Sequence, residues 1–252
     1  MANAYFGFSK IAKEIDMADA TQFAHAMDER GVVYNSDGSA LDAKLAYILD
    51  QEKKGNYIKG TDWFDEITRV GFTQRYNVSI QGSGEKYNYN HGVTYQHEEG
   101  IVKVTELNKF MMHSNNNYKV NSHVDLGLNM NFVYYKRPNL NNDFYSGALP
   151  GALRSDPISA AYDEYTGYYG ENYYATSQRN PALALDFAKK SRTRENRFIG
   201  SFFVQINDIG IKGLSLRCQY GREYVYNESK AYSPKYYITP TQKNDDATLD
   251  QT

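Results

Sequence analysis

From Val124 to Tyr134 the chain alternates without a break: Val124, Leu126, Leu128, Met130, Phe132 and Tyr134 share one parity, and Asp125, Gly127, Asn129 and Asn131 share the other. A strict period of two describes a β-strand with one apolar and one wet face. The run is longer than the usual globular strand and matches the ~9–11 residues that a tilted strand needs to cross a bilayer. A compact helical domain is excluded at once.

The same pattern recurs. Tyr76, Val78 and Ile80 alternate with Arg75, Asn77, Ser79 and Gln81, and beyond Gly82-Ser83-Gly84-Glu85-Lys86 the alternation resumes with Tyr87, Tyr89, His91, Val93 and Tyr95. Two such runs around a Gly-rich turn read as an antiparallel hairpin. A second pair sets Phe110, Met112, Tyr118 and Val120 before Asn121-Ser122-His123 and the Val124 run. A third joins Phe198–Ile206 to Leu214–Tyr220, and an opening strand falls near Ala4–Ile11. The 24 Tyr and 19 Gly among 252 residues fit a β-rich chain with polar turns. The fold class is all-β and antiparallel, with about six or seven strands.

The connections are unequal. Three turns are short, whereas residues 136–196 separate the fourth alternating strand from the fifth, too long for a structureless loop inside an ordinary compact domain. Short turns at one rim and long loops at the other are the habit of outer-membrane barrels. Two helices are predicted outside any span. Asp19–Arg30 opens on a capping residue and stops at Gly31. The other, Ala182–Lys190, follows Asn180-Pro181 and ends on two lysines.

Charge and chemistry exclude several classes. With 28 Lys+Arg against 30 Asp+Glu there is no basic excess for a polyanion, so no nucleic acid is expected as a partner. Mean hydropathy of −0.69, with no apolar run approaching about 20 residues, excludes a membrane-spanning helix but not a barrel, whose strands alternate. The single Cys218 allows no internal disulfide or Cys-x-x-Cys motif. The five histidines are scattered, and His97-Glu98-Glu99 lacks the second ligand of a helical zinc site. Gly82–Lys86 joins two strands and opens no helix, so it reads as a turn and not a phosphate loop. Asp62-Trp63-Phe64-Asp65-Glu66 gathers carboxylates, and it reads more simply as a capped helical turn with its two aromatics at an interface. No metal, cofactor or enzymatic activity is expected. The opening residues carry no secretory signal, so either the protein stays inside or the chain is part of something longer, and the polar C-terminus, which completes no element, keeps truncation open.

The 136–196 segment has its own character. Aromatic faces among polar groups hold sugars and peptides by stacking and hydrogen bonding, which makes Tyr145, Arg154, Asp156, Tyr162, Tyr165, Tyr168 and Tyr169 candidate substrate-binding residues. The competing reading has the tyrosines, with Tyr173 and Tyr174, packing the loop against itself.

Gly60-Thr61-Asp62-Trp63-Phe64-Asp65-Glu66-Ile67, followed by Gln74–Lys86 and by Tyr87–Tyr95 with Glu99-Gly100-Ile101, resembles the TDW-x-D-x-I turn and the following strand pair of SusC/RagA-type TonB-dependent outer-membrane transporters. Val124–Asn131, Ile211–Arg217 and Ile15–Phe23 resemble further segments of that family, so the likeness covers nearly the whole chain. It implies an early barrel segment, with signal peptide, TonB-contacting box and plug absent and the wall cut on both sides. The function implied is gated import of nutrients, oligosaccharides foremost and peptides next. The partners implied are a SusD-like surface lipoprotein, TonB through the missing plug region, and membrane lipid, with the outer membrane as location. Residues implied to face lipid are Tyr76, Val78, Ile80, Tyr89, Val93, Leu126, Leu128, Met130 and Phe132. Those implied to face the lumen include Arg75, Asn77, Ser79, Asn88, Asn90, Asp125, Asn129 and Asn131, while Tyr134, Tyr135, Tyr220 and Tyr224 would form an aromatic girdle. The 136–196 loop would help build the outer vestibule. Such an open sheet is not expected to fold alone in water. The alternative is a soluble β-sandwich carbohydrate-binding module, which requires a second sheet facing the first.

Overall fold

A computed structural model describes residues 1–140, 143, 147–174 and 179–252. Its main element is one eight-stranded antiparallel sheet. Seven long strands follow chain order: β1 (Ala2–Ser9), β2 (Gly71–Ser83), β3 (Tyr87–Glu99), β4 (Glu106–Lys119), β5 (Val124–Pro138), β6 (Arg192–Asn207) and β7 (Ser215–Ser233). A two-stranded ribbon, β8 (Tyr236–Tyr237) with β9 (Lys243–Asn244), precedes β10 (Thr248–Gln251), which pairs with β7. Among the described residues, five helices lie in two connections: α1 (Ala20–Glu29), α2 (Ala43–Lys53) and α3 (Trp63–Ile67) before β2, and α4 (Ala148–Ala152) and α5 (Pro181–Lys190) before β6.

The opening strand expected near Ala4–Ile11 is β1, which runs over Ala2–Ser9 and pairs along β2, and β10 adds to β7 the strand that alternation does not indicate, making eight. β5 continues to Pro138 and β6 begins at Arg192. These strand ends carry charges and not apolar alternation, so periodicity stops short of them. Among the described residues no second sheet faces the first, which removes the geometry that a sandwich needs.

Register assigns the faces. Val78 lies opposite Val93, Val93 opposite Met112, Met112 opposite Phe132, and Phe132 opposite Phe198, which in turn meets Tyr224. Directly opposed residues share a face. One face therefore carries Tyr76, Val78, Ile80, Tyr89, Val93, Leu126, Leu128, Met130 and Phe132 together, and the other carries Arg75, Asn77, Asn90, Asn129 and Asn131. Tyr134, Tyr220 and Tyr224 join the apolar face. Tyr135 does not: adjacent strand residues point opposite ways, and its hydroxyl donates to Glu195 at 2.7 Å on the wet side.

The short turns line one rim. Gly84 N donates to Tyr87 O at 2.7 Å, and Asn121 Oδ1 accepts from His123 N and Val124 N. In the third turn Asp208 Oδ1 accepts from Gly213 N. The row through Val78, Met112 and Phe198 lies progressively farther from this rim, as the stretches Val78–Ser83, Met112–Lys119 and Phe198–Asn207 show, lengthening by two residues per hairpin. That steady shift is the shear of a sheet whose strands tilt as they do in a barrel wall.

The hydrophobic core is not in the sheet, where Phe203 is the buried apolar residue. It sits in the helical layer at the opposite rim. One cluster gathers Ala24, Met27, Val33, Leu45, Ile48 and Leu49, and the other Trp63, Ile67, Ala148, Ala152 and Leu185.

Candidate functional site: the helical cap and its cavity

The two long connections form one cap because buried polar groups in each find partners in the other. Asp62 caps α3 by accepting from Phe64 N and Asp65 N, which fixes Trp63 so that its Nε1 donates to Asp156 O at 2.9 Å. Thr61 N donates to Pro157 O and Thr61 Oγ1 to Ser159 O. Gly60 permits this approach: its φ is +72°, and a Cβ there would stand 2.2 Å from Pro157 O. The Asp62–Glu66 segment is thus the capped turn with buried aromatics expected of it.

A second tie runs through Asp42, the residue that caps α2. Tyr174 donates to its carboxylate at 2.6 Å and Tyr173 at 3.3 Å. Partial burial pushes the Asp42 carboxyl up, and the hydrogen bonds from Tyr174, Leu45 N, Lys44 N and Tyr173 outweigh it and hold the group below the usual carboxylate range. Burial, followed by the hydrogen bond and charge of Asp42, pushes the Tyr174 phenol upward. Phe23 of α1 meets the Tyr174 ring edge-on at 5.6 Å.

Between the two connections lies a cavity of about 590 Å³ walled by Phe23, Trp63, Phe64, Leu153 and Tyr174. Glu14, Asp16, Asp19 and Asp62 face it with Lys59 and Arg154, so carboxylates outnumber cations. Ser155 also lines it, and its buried Oγ has no hydrogen-bond partner among the described residues. An aromatic wall with excess acceptors is the donor and acceptor set for a hydroxyl- or amine-bearing solute.

The candidate residues named from sequence fall into separate groups. Arg154 and Asp156 line the cavity; the Asp156 carboxylate accepts from Ser159 Oγ and Tyr174 N, and its side chain is buried. Tyr162 and Tyr169 pack ring to ring at 5.5 Å, and Tyr169 donates to Asp186 of α5. Tyr168 meets Tyr237 at 6.1 Å. Tyr165 protrudes, 93% exposed, from a turn held by Asp163, whose carboxyl is kept low by hydrogen bonds from Thr166 and Tyr165 N. Tyr145 lies outside the described residues. Sequence reasoning missed the cavity wall contributed by residues 10–70. The available signal was the second long connection, which runs from the opening strand to Gly71 and ends at the same rim.

No family model matches the chain. TonB-dependent receptor P26 of Formosa agariphila is 27% identical over 146 residues, 57% of this chain and 14% of that protein. TonB-dependent receptor SusC of Bacteroides thetaiotaomicron is 26% identical over 244 residues, 88% of this chain and 22% of that protein. The structure of the RagAB peptide transporter superposes with a TM-score of 0.71 at 19% identity, covering 92% of this chain and 28% of that one. RagAB in its open-open state gives 0.69, covering 95% and 29%. The chain spans less than a quarter of the length of these two curated relatives, both TonB-dependent receptors. In sequence and in fold alike, it is similar to a stretch of barrel wall in the SusC/RagA-type TonB-dependent receptors.

Proposed function

We propose that this chain is the early barrel wall and part of the outer vestibule of a TonB-dependent outer-membrane transporter that imports oligosaccharides or peptides. The observation that carries this reading is the division of the sheet into one apolar and one wet face along strands of 13 to 19 residues from β2 to β7, with short turns at one rim and a structured cap at the other. Lipid covers the face bearing Val78, Val93, Leu128 and Phe132, and the face bearing Arg75, Asn77 and Asn129 lines the lumen. The cap meets the solute through its cavity, Arg154 and Asp156 included, and through the exposed Tyr162, Tyr165 and Tyr168, beside a SusD-like lipoprotein. TonB acts through a plug region.

The test is uptake in cells lacking the gene, complemented with the full-length protein. Growth on an oligosaccharide or peptide source should return with the wild type, and Arg154→Ala or Tyr165→Ala should slow uptake several-fold while leaving the level of heat-modifiable protein in the outer membrane unchanged. Uptake unaffected by both variants removes the cap from the solute path. Recovery of the protein in the soluble fraction sinks the transporter reading itself.

A further inference from the structure

The apolar face of the sheet ends, on the long-loop side, in a cluster of cations. On β5 the outward residue after Tyr134 is Lys136, on β6 the outward residues above Phe198 are Asn196, Arg194 and Arg192, and on β7 those above Tyr226 are Glu228 and Lys230. Register puts them side by side: Lys136 lies opposite Arg194, Arg194 opposite Glu228, and Arg192 opposite Lys230. One carboxylate, Glu228, stands among the four cations and pairs with two of them. Glu228 pairs with Lys230 at 3.1 Å and with Arg194 at 3.6 Å. The Arg192 side chain makes no hydrogen bond or close ion pair among the described residues, and the Nε atoms of both Arg192 and Arg194 are buried without a partner. Unsatisfied buried guanidinium donors are costly, and their fork geometry is matched to phosphate.

The height of the cluster is as informative as its charge. The short turns mark one membrane boundary, and a tilted strand crosses in ~9–11 residues. Lys136 comes twelve residues after Val124, and Arg194 thirteen before Asn207. The cations therefore begin a few ångströms beyond the apolar band, about where lipid headgroups lie, with Tyr134 and Tyr226 directly beneath as interfacial aromatics. The patch is local. At the same height on β3 and β4 the outward residues are His97, Glu99, Glu106 and Asn108.

We propose that Lys136, Arg192, Arg194 and Lys230 form a binding site on the outer wall for the phosphate groups of a phosphorylated glycolipid in the leaflet on the long-loop side. The site rests on the membrane reading above but uses none of the solute-binding cap. Arg192 and Arg194 grip the phosphate, the two lysines supply charge, and the acyl chains lie along Phe132, Phe198 and Tyr224.

The test is native mass spectrometry of the detergent-extracted full-length protein, titrated with bisphosphorylated lipid A, dephosphorylated lipid A and inorganic phosphate. Lipid A should bind, and the Arg192→Gln/Lys230→Gln protein should bind it tenfold or more weakly, roughly the loss expected for two surface cations. Lys109→Gln, on the wet face, should not change it. Equal binding by wild type and double variant, or by dephosphorylated lipid, overturns the proposal, and inorganic phosphate competing at millimolar concentration replaces the lipid with a free anion. Failure of the membrane reading shows separately, as protein absent from the membrane fraction before any titration.

Discussion

At the scale of residues, the cap depends on a few polar contacts whose loss is measurable. Asp42→Ala removes the α2 cap and both tyrosine contacts, so it should destabilise the cap by about 1–2 kcal/mol and speed proteolytic cleavage in the 139–191 connection of the full-length protein. Unchanged cleavage would show that the tie contributes nothing. Because the Asp42 carboxyl is held below its unfolded value, its contribution is present above about pH 4 and fades as pH falls through the lower folded value. Tyr174 has the opposite sign: its raised phenol contributes fully below about pH 10 and loses this only as pH rises through the folded value. Cleavage rates should thus stay flat between those limits, and Tyr174→Phe should shrink the alkaline arm, leaving the part that belongs to Tyr169 and Tyr173, whose phenols are pushed up as well. Gly60→Ala forces a Cβ against Pro157 O at a positive φ and should raise cleavage more than Gly38→Ala, whose φ is also positive but whose surroundings are open; equal effects would locate the cost in backbone conformation alone.

At the scale of elements, the two faces of β5 make opposite predictions for neighbouring positions. Leu128 lies on the apolar face between Asn116 and Phe202, and Asn129 on the wet face between Asn115 and Ser201. Leu128→Asp should cut the heat-modifiable, folded fraction in outer membranes sharply, as expected for a charge facing hydrocarbon, while Asn129→Asp should leave it near wild type. The reverse result would exchange the faces. Glycine also has a packing role here. Phe203 lies over Gly127, where a Cβ would stand 1.8 Å from the ring, and the Arg217 guanidinium covers the same ring at 3.7 Å. A ring laid across a cross-strand glycine fills the space that the missing side chain leaves.

At the scale of the whole molecule, the sheet carries almost no core of its own, while the cap has two small ones. Its apolar face presents Val78, Ile80, Leu216 and Tyr220 at 53–66% exposure, far more contiguous apolar surface than a soluble monomer tolerates. The 252-residue chain by itself should accordingly self-associate in buffer and gain strand structure in detergent micelles, readable by sedimentation and circular dichroism. A monodisperse monomer in plain buffer would contradict the membrane assignment of that face.

The alternation in β2 to β7 was legible from residues alone, because a period of two has one structural solution and the turns at Gly82, Asn121 and Asn207 bracket it. Parity then determined which residues share a face within each strand. Tertiary structure was needed wherever the pattern fades. The charged ends of β5, β6 and β7 pair by register and not by hydropathy, which is why the cluster of Lys136, Arg192, Arg194 and Lys230 could not be assembled from spacing. The cap likewise joins Trp63 to Asp156 and Asp42 to Tyr174 across about a hundred residues. Helix caps and short turns are local and leave their mark in sequence. A contact between two loops is decided by which rim the strands return them to, and only the paired sheet determines that.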